Sequence, residues 1–158
     1  MQVKLVDCSA VVRFPANSLQ EWNEYRGCGL RTASAYLLVY DVTDEDSFGY
    51  VRSMRDQILH SRGNTHDVPI FVAANKQDLQ PTAAGDKGPV AAAKRDLANV
   101  VKKQWKCGFI ECSTKHNYRV TTLFKELIKA IDHVNYAHRP TSTRALQDAL
   151  RNNHCVIL

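Results

Sequence analysis

Asn75-Lys76-Gln77-Asp78 sets an amide, an ammonium and a carboxylate side by side, directly after the apolar run Pro69-Ile70-Phe71-Val72-Ala73-Ala74. The run reads as a short buried strand, so the polar group sits at a strand end. A carboxylate there can accept two adjacent donors at once, and such charge-assisted pairs are strong. Guanine presents that edge, with N1–H beside its exocyclic amine. Adenine does not, and would leave Asp78 buried and unpaired, a route to discrimination of roughly 10⁴ or more. The stem of Lys76 can lie along a flat ring, and the amide of Asn75 can tie its loop to a neighbour. The next apolar run ends in Glu111-Cys112-Ser113-Thr114-Lys115. Ser113 there either joins the same corner or caps the helix that follows.

Groups able to hold phosphates are missing from the sequence. A phosphate loop follows G-x-x-x-x-G-K-[ST] after a strand. None of the seven glycines, at 27, 29, 49, 63, 85, 88 and 108, opens that pattern, nor do they make G-x-G-x-x-G. The second absence disfavours a nicotinamide-dependent oxidoreductase.

Strands and helices alternate along the chain, the pattern of a parallel α/β sheet. Strands are expected at Val3–Val6, Ser34–Val42, Pro69–Ala74 and Phe109–Cys112. Helices are expected at Ser18–Gly27, Asp46–Arg62, Pro89–Trp105 and Val120–Val134. The second helix carries Phe48, Val51, Met54, Ile58 and Leu59 on one face. The third turns Ala93, Leu97, Val100, Val101 and Trp105 inward, and the fourth buries Leu123, Phe124, Leu127, Ile128 and Ile131. Gln80–Gly88 reads as a loop. Asp41, Asp44 and Ser47 read as turn and cap residues with a structural role.

At 158 residues the chain has the length of one domain, with 44% apolar and 23% charged residues, as in ordinary globular proteins. The net charge of +5 owes much to Lys94, Arg95, Lys102, Lys103 and Lys106. That stretch is either a solvated helix face or an attraction for an anionic membrane; no nucleic-acid partner is expected. Five cysteines without C-x-x-C argue for reduced thiols over a disulfide or zinc framework. No signal peptide or 18-residue apolar span is found, so no segment is expected to cross a membrane.

Together these segments resemble the Ras superfamily of small GTPases, over essentially the whole chain but matching only the later part of the family fold. Phe14-Pro15-Ala16-Asn17-Ser18-Leu19-Gln20-Glu21-Trp22 and Trp105-Lys106-Cys107-Gly108-Phe109-Ile110-Glu111-Cys112-Ser113 look like the Ras-like family ten subgroup. The resemblance implies a three-layer, mostly parallel α/β sheet of the P-loop-NTPase type, incomplete at its N-terminal part. It implies GTP or GDP as ligand with Mg²⁺, and signal transduction as role. Asn75, Lys76 and Asp78 would contact the base, aided by Ser113, Thr114 and Lys115. Asp7, in Val3-Lys4-Leu5-Val6-Asp7-Cys8-Ser9-Ala10, stands where the family's Asp-x-x-Gly carboxylate reaches Mg²⁺ through water; it also reads as a plain strand end. Ala10 replaces the glycine, and Val11 replaces the glutamine that orients water.

Two organisational expectations follow. Residues 1–136 form a partial Ras-like domain, and Met1 leading straight into a strand reads as a truncated gene model or an alternative start. The family's central first strand would lie between Val3–Val6 and Ser34–Val42, so those two either pair directly or leave the front loose. Residues 137–158 read as a flexible tail ending in Cys155-Val156-Ile157-Leu158, a C-a-a-X box whose leucine favours geranylgeranyl on Cys155. Arg139, Arg144 and Arg151 support binding to the cytoplasmic face of a membrane, the plasma membrane first, with a soluble pool. The chain is then either the base-reading part of a small GTPase, inactive or very slow alone, or a prenylated pseudo-GTPase serving as a membrane-tethered interaction module.

Overall fold

The structure, a computed structural model, describes residues 3–8, 11–62, 68–80, 89–137 and 154–157. Its strands are β1 (Lys4–Asp7), β2 (Ala35–Asp41), β3 (Ile70–Asn75), β4 (Gly108–Glu111) and β5 (His154–Ile157). Its helices are α1 (Ser18–Tyr25), α2 (Glu45–Arg62), α3 (Pro89–Asn99) and α4 (Val120–Ala137). Single 3₁₀ turns occupy Leu30–Thr32 and Gln77–Leu79.

The strands form one sheet in the order β1-β5-β2-β3-β4, every pair parallel. Parallel strands need crossover segments, and these cover both faces. β2 is accordingly apolar almost throughout, and its pleat sorts residues by parity. Tyr36, Leu38 and Tyr40 join Phe48, Val51, Met54 and Ile58 of α2 on one face, together with Val101. Ala35 and Leu37 join Leu123, Leu127 and Ile131 of α4 on the other. Three layers result, as expected, and the apolar stripes anticipated on α2 and α4 are the ones that dock. Phe48 stacks on Trp105 at 5.6 Å between ring centres, which fixes the chain after α3 against α2.

Local signals set the ends of elements. Asn17 caps α1, its side chain accepting from the Gln20 amide at 2.8 Å. Gly108 opposes Phe71 in the β3–β4 ladder, and a Cβ there would stand 2.5 Å from the Phe71 ring. Only glycine leaves that ring its place.

The structure corrects three expectations. The helix expected to reach Trp105 is α-helical only to Asn99 and widens into a π turn over Val100–Gln104. The Trp105 amide bonds the Val100 carbonyl at 2.9 Å, which lets Val101 enter the core. Ala93, expected inward, is exposed.

The second correction concerns the place beside β2. β1 neither pairs with β2 nor is left without a partner, because β5 lies between them. Leu5 and Ala35 both face Cys155, and Val6 and Tyr36 both face Val156. Parallel strands stand about 4.8 Å apart, and buried backbone groups must be paired. A β-prone segment at that position meets both ladders at once.

The third follows from it. Of the tail expected over 137–158, Ala137 ends α4 and His154–Ile157 form a central strand. Residues 138–153 lie outside the described residues, as do Ala10 and most of the loop expected at Gln80–Gly88. Among the described residues no helix is long and apolar enough to cross a membrane. Cys8, Cys28, Cys107 and Cys112 are free thiols.

Candidate nucleotide-base site

β3 and β4 run parallel with Ala74 opposite Glu111, so both strands deliver their following loops to the same edge of the sheet. Ligands of open α/β sheets bind at that carboxyl edge. The loops are laced together by the main chain: the Cys112 amide donates to the Ala74 carbonyl at 2.9 Å, and the Gln77 amide to the Cys112 carbonyl at 3.2 Å.

Asn75 completes the lacing. Its Oδ1 accepts from the Thr114 amide at 3.1 Å, and its Nδ2 faces Thr114 Oγ1 at 3.4 Å. Lys76 follows in the left-handed region at φ 64°, which turns the chain into the 3₁₀ turn carrying Asp78. Ser113, 2% exposed, donates its hydroxyl to Asp78 Oδ1 at 2.5 Å. That hydrogen bond is the main reason the Asp78 carboxyl titrates below its ordinary range, with His116 and Lys115 adding smaller attractions. Asp78 is therefore ionised at neutral pH, as an acceptor of paired N–H donors must be. Asp78, Ser113, Gln77, His116 and Tyr118 line a cavity of about 290 Å³. Ser113 and Tyr118 exchange main-chain hydrogen bonds at 3.1 and 2.9 Å, which closes the loop beneath the site.

Lys76 has a partner that its sequence position did not announce. Its Nζ donates to Asp41 Oδ2 at 2.7 Å. Asp41 ends β2 opposite Asn75, and Lys76, followed by the Thr43 amide and hydroxyl, draws its carboxyl down to about 2. Asp41 is thus more than the turn residue expected. The signal was present in the sequence, but only the parallel register turns it into proximity. Lys94 likewise reaches the site's border, meeting Gln77 Oε1 at 2.6 Å and Glu111 Oε1 at 3.2 Å. Thr114 and Lys115 are exposed.

Asp7 stands apart from this group. β5, β2 and β3 follow β1 across the sheet, and Asp7 stands level with Phe71, four residues short of the β3 end, so it lies about 20 Å from that end at the usual strand spacing and rise. It is exposed, and among the described residues no three His, Cys, Asp or Glu side chains converge where a metal could be held. One carboxylate falls far short of the oxygen shell that Mg²⁺ takes up, so the described residues alone do not fit the ion. Val11, in the place of a water-orienting glutamine, is fully buried in the core. The remaining expected site residue, Cys155, lies in β5.

A parallel three-layer sheet with Asn75, Lys76, Asp78 and Ser113 gathered at its carboxyl edge defines a class, and the sequence matches the Ras family over residues 19–133. The chain belongs to the Ras family, a family of small GTPases. It is 40% identical over 157 residues to Ras-like protein family member 10B of Homo sapiens, covering 99% of this chain and 73% of that protein. It is 36% identical over 143 residues to Ras-like protein family member 10A of Mus musculus, covering 89% of this chain and 66% of the relative. GTP-binding protein rhb1 of Schizosaccharomyces pombe is 39% identical over 97 residues, which is 61% of this chain and 48% of that protein. The chain thus spans from about half to about three quarters of the length of these relatives.

Proposed function

We propose that this chain reads the guanine base of GTP or GDP, with the Asp78 carboxylate accepting the paired N–H groups and the Lys76 stem lying along the ring. The carrying observation is the support of Asp78: the Ser113 hydroxyl at 2.5 Å holds it, and the Asn75–Thr114 pair joins the two loops. An acceptor fixed by its own shell loses little freedom when a base arrives.

Affinity is expected to be weak. A small GTPase holds its nucleotide largely by phosphate contacts through backbone N–H groups and a lysine, and the glycine-rich pattern that supplies them is absent from this sequence. For the same reason the chain alone should not hydrolyse GTP at a useful rate; a longer form carrying the loop would bind Mg²⁺ and turn over slowly. Titration calorimetry with GDP and ADP tests the reading. GDP should bind better than ADP, and Asp78→Ala should erase the difference. Equal binding of the two by the unaltered chain would remove the proposal.

The non-enzymatic alternative is favoured by Val11, an apolar, fully buried residue where the family places the glutamine that orients the attacking water. In that reading the chain is a pseudo-GTPase carried to the cytoplasmic face of a membrane by geranylgeranyl on Cys155, leaving a soluble pool. Cys155→Ser should then shift the protein wholly to the soluble fraction of a cell lysate. Identical partition of both forms would exclude the anchor.

A further inference from the structure

A second cavity, of about 700 Å³, lies between residues 13–16 and the C-terminal half of α2, and shares no residue with the base corner. That volume is typical of small-molecule sites. Its walls are held before any ligand arrives. The Phe14 amide donates to Gln57 Oε1 at 2.9 Å, and the hydroxyls of Tyr25 and Tyr50 donate to the Arg13 and Val11 carbonyls at 2.7 and 2.9 Å. Arg31 ties down the same segment: its Nη1 donates to the carbonyls of Pro15 at 3.0 Å and Ala16 at 2.6 Å, and to Ser61 Oγ at 3.3 Å.

The charges around this cavity do not balance. Arg31 is half-buried, yet its side-chain partners are all neutral, and it makes no ion pair among the described residues. Nη1 supplies two of the five guanidinium donors, and the Nε–Nη2 edge has no partner among the described residues. Such an edge takes two oxygens of a carboxylate or phosphate in parallel. Arg13 and His60, both exposed, also line the cavity, and their side chains have no partner among the described residues. Asp56 is the lining carboxylate, and Arg55 already holds its Oδ1 at 2.7 Å. Glu21 accepts the Arg31 main-chain amide at 3.3 Å, but it is buried and does not line the cavity. A cation drawn partly out of water among neutral partners is costly, and an anion would offset that cost.

We propose that this cavity is a second binding site, for a small organic oxyanion whose phosphate or carboxylate group lies against Arg31 and Arg13 while its apolar body lies along Phe14 and Pro15. The Phe14 ring meets Tyr36 edge-on at 6.0 Å between centres, which fixes that wall. Carboxylate and phosphate present the same paired oxygens. A phosphate has a further oxygen with which to meet the second guanidinium, so it is the favoured group.

Phenyl phosphate, benzoate, phenol and inorganic phosphate are the probes, each titrated into the whole chain and followed by calorimetry and amide NMR. Phenyl phosphate should bind saturably, shift the amides of Arg13, Phe14, Ala16 and Ser61, and leave those of Lys115 and His116 in place. Benzoate should shift the same amides, and the order of the two names the group. Phenol lacks the charge and inorganic phosphate lacks the body, so each should bind at least about tenfold more weakly. Arg13→Gln, at an exposed side chain, should weaken phenyl phosphate by at least about tenfold and leave the rest of the spectrum unchanged. Arg31→Lys keeps the charge, loses the fork and should weaken it as well. Phenol binding as tightly as phenyl phosphate would make this an apolar pocket, and inorganic phosphate doing so would make it a bare ion site; either overturns the proposal. So would shifts confined to Lys115 and His116, or an affinity unchanged in both variants.

Discussion

Lys76 Nζ and Asp41 Oδ2 meet at 2.7 Å, linking the carboxyl ends of β3 and β2. The lysine that a base would use as a platform is thus already held by a carboxylate on the neighbouring strand. Both side chains are partly open to water, so the pair adds little stability and chiefly fixes direction.

The pair should show itself on acidification. Its hydrogen bonds lower the Asp41 carboxyl from 3.8 to about 2, so its contribution is complete above pH ~4, where folded and unfolded chains are both ionised. It is lost as pH falls through the folded value, where Asp41 takes up a proton. The carboxyl carbon of Asp41 should titrate near 2 by NMR, and in Lys76→Met that midpoint should rise towards 3.8. A midpoint unmoved by the substitution would show that Lys76 is not its partner in solution.

Ser113→Ala removes the hydroxyl that holds Asp78. Its carboxyl should titrate higher, and guanine affinity should fall by about ten- to hundredfold, since one hydrogen bond to a charged group is worth about 1.5–3 kcal/mol. Calorimetry with GDP checks this. An unchanged constant would mean that Asp78 needs no such support.

Gly108→Ala should destabilise the fold without touching the base corner. The added Cβ would fall 2.5 Å from the Phe71 ring, and overpacking of that kind costs about 1–3 kcal/mol. Thermal unfolding should fall by several degrees. The companion change Phe71→Leu, which clears the space, should recover part of the loss.

Leu127→Ala should cost about 2–5 kcal/mol. Leu127 is 1% exposed, in the cluster between α4 and the sheet. Ile128→Ala, on the same helix but only half-buried, should cost clearly less. Denaturant titration of the two variants gives the comparison directly, and equal losses would place α4 in a different rotation.

Much of this fold was legible because period and burial coincide. Phe48, Val51, Met54 and Ile58 recur at helical spacing and are buried together on α2; the unbroken apolar run of β2 fits a strand covered on both faces. The Asn75–Thr114 clasp was legible because both partners lie at strand ends that a parallel sheet brings to one edge. Three features were not. Asp41 looks like any turn aspartate until the register sets it opposite Asn75. The π turn at Val100–Gln104 leaves no mark in a helical pattern, since widening by one residue serves only to seat Val101. His154–Ile157 is four residues long with no local turn to announce it, and its partners lie far away in sequence; only tertiary context makes it a strand.

The slot that β5 fills has a consequence for chains in number. A site that accepts this chain's tail accepts the same tail from any neighbour, because the ladders read main chain first and side chains second. In one molecule the tether sets an effective concentration in the millimolar range, so self-seating prevails when the protein is dilute. When chains are crowded, as in a concentrated preparation, exchanged tails would join them into reciprocal dimers or open-ended strings. Each would carry a complete sheet, yet none would be a monomer.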